Sequence, residues 1–430
     1  MKNKKTKDEV NYVISHVVGD EAILESVYRP EQKPLFAIAN QKGIHTDTEY
    51  ITHSGKKYRP LLPSAPLLKH RFIKLPSGIG AEKTYEELVQ SIRAYIHSYL
   101  DVSEQSEVVI AHYVLLTWVF DVFNEVPYLR IRGDFGTGKS RFLNVVGSIC
   151  YRPIFANGSS TVSPIFHMLD TYGGTFVFDE ADFRYTDETS YITKILNNGF
   201  MKGFPVLRSL SDAGGNFKPR AFNVFGAKIV AMRGNFCDQA LESRFITETT
   251  APRNIRSDIP LTLPPDFEDI ATGIRNNLLR YRLSKLHEIS SRTVSVPESL
   301  DPRVRQLVLP MLKVAESEGA RAVLHDVAEE MNQQIQEERS WSPEARILEI
   351  IRDVWRMPNT NVSVKNITDT YLNRFGNDTN SRITTRWMGT KIRKSLGLKV
   401  SKSNGVFVVV PENAEKLARL YERYQIDAHG

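Results

Sequence analysis

The eight residues from Gly133 to Ser140 read GDFGTGKS, and they restrict the fold more than any other stretch of the chain. They follow PYLRIR, a run with strand character, and precede KSRFLNVVGSIC, a run with helical spacing. A strand, a glycine-rich turn and a helix in that order make a phosphate-binding loop. Its glycines let backbone N–H groups turn inward, and the helix N-terminus adds partial positive charge. The expected polyphosphate-binding residues are Gly133, Gly136, Thr137, Gly138, Lys139, Ser140 and Arg141. Lys139 is expected on the β- and γ-phosphates and Ser140 on Mg²⁺, so the cofactor pair expected is ATP with Mg²⁺.

Further on, TFVFDE reads as a buried strand ending in two acids. At the carboxyl end of such a strand Asp179 suits the hydration shell of Mg²⁺, and Glu180 suits polarising an attacking water. Both are needed because hydrolysis of a γ-phosphate is mostly positioning and charge neutralisation. The acids fall in the string DEAD, which names a class of RNA helicases. Those DEAD-box proteins carry a downstream Ser-Ala-Thr motif and an H-R-x-G-R-x-x-R string in a second motor domain. Neither occurs here, so that identity is excluded.

The surrounding rhythm is α/β. RPIFAN, TFVFDE, AKIVAM and RFITETT read as strands, with SPIFHMLDTY, TSYITKILNNGFM and DQALES as the helices between them. Alternation of this kind implies a mostly parallel sheet flanked by helices. YEELVQSIRAYIHSYL has amphipathic helical spacing, whereas VVIAHYVLLTWVFDVF is apolar nearly all round and is expected to be buried. The division expected is a small β-containing module over residues 1–80, an ATPase core with its preceding helices over 81–260, a helical lid or connector over 261–340, and a separate domain over 341–430.

ALESRF, at Ala240 to Phe245, resembles the arginine-finger motif of AAA+ ATPases, particularly the minichromosome-maintenance and mobile-element helicases. LNNGFMKGFPVLRSL, followed by a turn, a strand and SRF, also looks like the ATPase domains attached to phage and plasmid primases. The resemblance spans roughly Tyr85 to Ala315 and implies an AAA+ core with a helical lid. It implies that Arg244 reaches a neighbouring subunit's ATP, hence a ring of identical chains, usually a hexamer. It also implies a polar sensor at the end of the strand before the finger, either Arg233 or Asn235, with Asn235 preferred. A second sensor arginine would be Arg303 or Arg305 of DPRVRQ. The activity implied is that of a DNA motor, a replicative helicase of a phage, plasmid or other mobile element, with a primase or other replication protein as a partner. The alternative is a replication initiator, loader or transposition regulator that does not unwind.

Two regions are expected to meet DNA. Between Phe204 and Phe225, two β-like runs flank a turn at Asp212 to Gly215, a hairpin signal. The AAA+ helicase resemblance puts such a hairpin in a ring pore, where Arg208, Lys218 and Arg220 would follow single-stranded phosphates. In the last ninety residues, Ser342-Pro343 opens a helix, ITDTYLNRFG is a second and SRITTRWMGTKIRKSLG a third. LKVSKSNGVFVVV then reads as a hairpin turning at Asn404-Gly405. That order resembles a winged helix. On the third helix Arg382, Arg386, Gly389 and Arg393 fall on one stripe, interrupted on its apolar side by Lys391, and Lys399 and Lys402 lie on the wing.

Charge supports that placement. The net charge is +6; from Trp341 onward there are 15 Lys plus Arg against 9 Asp plus Glu, so the first 340 residues are neutral, 41 against 41. Cys150 and Cys237 form no C-x-x-C, and no histidine has metal-ligand spacing, which fits a reducing cytoplasm and excludes a zinc knuckle. The apolar run Val108 to Phe123 is short and broken by His112 and Asp121, so no membrane span is expected. MKNKKTKDEV has no apolar stretch behind it and is expected to be a disordered tail rather than a signal peptide.

Overall fold

The computed structural model describes residues 10–158, 160–179, 187–211, 217–236, 238–250, 256–355, 362–375, 383–403 and 405–427. Glu180, Cys237, Arg382, Asn404 and the turn Asp212 to Gly215 lie outside the described residues. The chain divides into two compact units, Met1–Ala328 and Glu329–Gly430.

The first unit begins with seven short strands: β1 (Val10–Val13), β2 (Ser15–Val18), β3 (Ala22–Val27), β4 (Leu35–Asn40), β5 (Gly43–Asp47), β6 (Tyr50–Ile51) and β7 (Lys57–Pro60). They form a meander β2-β3-β4-β5 and a smaller sheet β1-β7-β6. Every residue of β3 is buried, Glu25 included, so both of its faces are covered. A one-faced sheet would bury alternate residues only. Helix α1 (Ala65–Lys69) follows, then α2 (Tyr85–Tyr99) and α3 (Glu104–Trp118). Helix α2 starts with a reciprocal cap: Thr84 accepts from the Glu87 amide and Glu87 accepts from the Thr84 amide. From Val109 to Trp118 every residue of α3 is buried, as its all-round apolar sequence requires.

The centre is a five-stranded parallel sheet in the order β14-β8-β13-β10-β9. Its strands are β8 (Tyr128–Arg132), β9 (Ile154–Asn157), β10 (Phe176–Asp179), β13 (Lys228–Met232) and β14 (Phe245–Thr249). Helices α4 (Lys139–Ile149), α5 (Val162–Tyr172), α6 (Asp187–Asn198) and α7 (Gln239–Glu242) connect them, so the core is α/β with helices flanking a parallel sheet. Between α6 and β13 the antiparallel hairpin β11 (Val206–Ser211) and β12 (Phe217–Phe222) stands apart from the sheet. Helices α8 (Phe267–Ser291), α9 (Pro302–Val314) and α10 (Glu318–Ser340) follow, and α8 packs on α2, α3 and α4.

The N-terminal strands are welded to this core. Arg282 of α8, fully buried, donates to Glu25 of β3 (2.6 Å) and to both carboxylate oxygens of Asp121 (2.7 Å each). The Tyr151 hydroxyl also donates to Glu25 (2.8 Å). Burial alone would lower the Arg282 guanidinium, and the charges of Asp121, Tyr151 and Glu25 outweigh it and raise it well above the ordinary arginine value. At Gly80 the backbone runs so close to α8 that a Cβ would stand 2.5 Å from the Asn277 amide nitrogen.

The second unit has its own core. Helices α11 (Pro343–Trp355), α12 (Val364–Phe375) and α13 (Thr385–Thr390), a wider π-type turn Lys391–Ser395, and the hairpin β15 (Val400–Ser403) and β16 (Val406–Val409) enclose Ile347, Ile351, Ile367, Tyr371, Met388, Ile392 and Val409. Within the described residues the third helix begins at Thr384, whose side chain accepts from the Trp387 amide (3.2 Å), and Gly397 ends the segment at φ 63°. A further amphipathic helix α14 (Ala414–Arg423), not anticipated from the sequence, closes the core through Leu417. Lys391 does not break the apolar side, because it turns to Glu344 of α11 (2.7 Å).

Candidate nucleotide site and nucleic-acid interface

The loop leaving β8 has the shape its glycines predict. A Cβ on Gly133 would lie 1.9 Å from the Thr250 hydroxyl, so only glycine fits. Gly136 and Gly138 have φ of 74° and 87°, and nothing stands within 4 Å of where their Cβ atoms would be. The loop therefore opens to solvent around a left-handed backbone. The Asp134 carbonyl accepts from Thr137 Oγ1 (2.9 Å) and from Lys139 Nζ (2.6 Å), which draws the ammonium across the loop. Helix α4 starts at Lys139 with Gly138 as its N-cap and no side-chain cap, leaving first-turn amides for an anion. An open concave loop, a bare helix N-terminus and an ammonium at its mouth fit a polyphosphate. Arg141 is placed differently: its guanidinium donates to the Pro260 (2.7 Å) and Leu261 carbonyls and fastens the chain beyond the sheet.

Sheet order sets the rest. Strand β13 lies between β8 and β10, so Asp179 at the carboxyl end of β10 is two strand spacings from the loop, about 10 Å. Of the two residues expected on Mg²⁺, Ser140 is exposed and Asp179 half-buried, one on either side of that gap. The Gly133 amide donates to the Met232 carbonyl (3.3 Å), which brings the end of β13 level with the start of the loop. Beyond that end, the Arg233 guanidinium stacks 4.2 Å from the ring centre of Phe135, a loop residue 81% exposed. Asn235, the preferred sensor, accepts instead from Arg132 Nη1 (2.6 Å). Of the two sensor candidates, Arg233 is thus the one whose charge lies against the phosphate loop.

Arg244 lies at the opposite, amino end of the strands, just before β14. Its carbonyl accepts from the Tyr128 amide at the start of β8, five residues before Gly133, or about 16 Å of strand. It cannot serve the phosphate loop of its own chain. Its guanidinium donates to the Leu196 (3.1 Å) and Asn197 (2.6 Å) carbonyls at the end of α6 and rests on the Phe200 ring, with Arg303 on the same ring. Burial pulls the group below the ordinary arginine value. Glu242 is not its partner but pairs with buried Arg130 (2.7 Å), a contact the sequence reading did not foresee. Arg303 also donates to Gln306 (2.9 Å).

The hairpin forms as expected, and both of its arginines have partners within the chain. Arg208 stacks on Phe166 and Tyr191 (4.8 and 5.1 Å), and Arg220 pairs with Asp170 (3.1 Å) and covers Phe222. Residues directly opposite in an antiparallel pair share a face, so this one holds the hairpin to α5. The other face carries Leu207 and Phe217, 71% and 75% exposed. Lys218 is exposed near the turn.

In the second unit, residues 383–410 contain six Lys or Arg and no Asp or Glu. Lys391 is bound to Glu344, whereas Arg386, Arg393, Lys394, Lys399 and Lys402 are exposed. Among the described residues none of these five makes an ion pair. Gly389 is buried, and a Cβ there would touch the Arg393 guanidinium at 3.5 Å, so Arg393 lies across it. Such a surface suits phosphates. Among the described residues no group of three or more His, Cys, Asp or Glu is placed to hold a metal ion by itself, and no helix is long and apolar enough to cross a membrane.

No protein-family model matches the chain, and no curated protein does. Among solved structures, the C-terminal region of NrS-1 in its apo form aligns at 12% identity over 90% of this chain and 96% of that one, with a TM-score of 0.38. SCCmec type IV Cch, described as an active helicase, aligns at 10% identity over 95% and 81%, with a TM-score of 0.46. A full-length MCM homolog from Methanopyrus kandleri aligns at 10% identity over 73% and 77%, with a TM-score of 0.34. Likeness this distant carries no weight for function, which rests on the chain's own residues.

Proposed function

We propose that the chain is an ATP-hydrolysing AAA+ motor acting on DNA, assembled as a ring of identical subunits and serving as a replicative helicase of a mobile element, phage or plasmid. The observation that supports it most is the placement of the phosphate loop and Asp179 at the carboxyl ends of β8 and β10 with β13 between them. Lys139 and the amides of α4 bind the polyphosphate, and Ser140 and Asp179 hold its cation. Bound Mg²⁺ supplies charge neutralisation on the phosphate oxygens. Glu180 orients water, and Arg233 adds a positive charge beside the loop. Arg244, out of reach of its own site, serves a neighbour's. The cationic surface around α13 and the β15–β16 hairpin binds DNA as a winged helix does, and Lys218 meets single strands at the β11–β12 hairpin.

The test is ATPase activity with and without single-stranded DNA, beside unwinding of a forked duplex, for the native chain, Lys139→Ala and Arg244→Ala. DNA-stimulated hydrolysis with strand separation, lost in both variants, is expected. Stimulated hydrolysis without strand separation would move the assignment to a non-unwinding initiator, loader or transposition regulator. Absence of DNA binding would remove both readings.

A further inference from the structure

The β15–β16 hairpin has two parts. At its root Val400 and Val409 face each other and pack into the core, and the Val409 amide donates to the Val362 carbonyl (2.9 Å). One step nearer the turn, on the same face, Lys402 stands opposite Phe407. There the hairpin has left the core: Phe407 is 51% exposed, and Lys402, Ser403 and Val406 are exposed with it. Among the described residues the Phe407 ring has no aromatic or cationic neighbour. Among the described residues four large hydrophobic side chains of this unit are exposed, Trp341, Leu372, Val406 and Phe407, and Phe407 is the one aromatic ring of the four that lies in the stretch without a carboxylate.

We propose that the outer end of this hairpin is a stacking site for an unpaired nucleobase, with Phe407 as the platform and Lys402 on the adjoining phosphate. The inference rests on the nucleic-acid part of the function proposed above and goes beyond it in naming single-stranded DNA as what the hairpin takes. Two observations favour that ligand. The ring stands in a stretch of 28 residues without a carboxylate, residues 383–410, so a polyanion is drawn to it and an acidic protein segment would have only one aromatic anchor. A phenyl face offers little to a paired base, whose faces are covered by its neighbours, but it can stack on an unpaired one of any sequence. The cations of α13 and this ring together bring duplex and single strand to one unit.

The test uses the full chain without nucleotide. Anisotropy titrations with a labelled oligothymidine and with a blunt duplex of equal length are compared for the native protein, Phe407→Ala, Phe407→Trp and Lys402→Ala. 2-aminopurine in a second single strand reports stacking. Phe407→Ala is expected to weaken single-strand binding by about tenfold or more and to abolish the 2-aminopurine quench, with a much smaller effect on duplex. Phe407→Trp should retain both signals. Lys402→Ala should flatten the salt dependence of single-strand binding by roughly 0.7 in the log–log slope. Equal losses on single strand and duplex, or no loss on either, would overturn the stacking site while leaving DNA binding in place. Failure of the native protein to bind either DNA would overturn both. A change confined to self-association would make the hairpin a protein contact instead. Thermal melts of each variant establish that the substitutions leave the fold intact.

Discussion

Lys228 shows how far one side chain can depart from its ordinary chemistry. It opens β13, is fully buried, and has as acceptors the carbonyls of Val224 (2.8 Å), Gly226 (2.9 Å) and Gly199 (3.5 Å), with the Tyr128 ring 5.0 Å away. Those carbonyls belong to the end of α6 and the return from the hairpin, so the ammonium pins both to the central strand. Burial depresses its pKa from 10.5 to about 7. Between those values the unfolded chain binds more protons than the folded one, so stability rises with pH across that window. Relative to Lys228→Met, the native protein should therefore gain stability between pH 7.5 and 9.5, by up to about 1.4 kcal/mol per pH unit. Parallel melting temperatures for the two proteins over that range would refute it.

Among the elements, the link between β3 and α8 is the most consequential. Replacing Arg282 by leucine would strand the buried Glu25 carboxylate and should cost about 3–5 kcal/mol. Because Glu25 and Asp121 meet on one guanidinium, the N-terminal strands and the rest of the first unit should still unfold together in Arg282→Leu, in one transition shifted to lower urea. An early transition of the N-terminal strands, with the main one unmoved, would show that they fold as an independent module. Asp121 answers to the same pairing. Burial by itself would raise its carboxyl, but the Arg282 charge and hydrogen bonds hold it below the ordinary range. The hairpin teaches a related lesson: Arg208 and Arg220 are spent on Phe166, Tyr191 and Asp170, which anchors the element and turns an apolar face outward.

For the whole molecule the decisive feature is that Arg244 and Lys139 sit at opposite ends of two neighbouring strands, β14 and β8. If the arginine serves a neighbour, Lys139→Ala and Arg244→Ala, each inactive alone, should recover activity when mixed. In a randomly mixed ring about one quarter of interfaces pair an intact phosphate loop with an intact arginine, and hydrolysis should approach that share of native activity. No recovery in verified mixed assemblies would make Arg244 a local clamp on α6 and nothing more. Its present contacts with the Leu196 and Asn197 carbonyls would have to be given up for it to reach another subunit.

The sequence by itself determined what depends on neighbours in the chain. The strand-loop-helix of GDFGTGKS, the alternation that becomes the parallel sheet, the uniformly buried α3 and the left-handed backbone at Gly405 are local in origin. Backbone sterics and hydrophobic periodicity act over a few residues, and they are written where they act. Only the tertiary structure decided where charges end. Lys391 looked like a flaw until Glu344 was beside it, Asn235 met Arg132 while Arg233 took the phosphate loop, and a conspicuous Arg244 came to rest on α6. A guanidinium or ammonium can reach several partners, and the one it takes is set by strand order and packing between segments far apart in sequence.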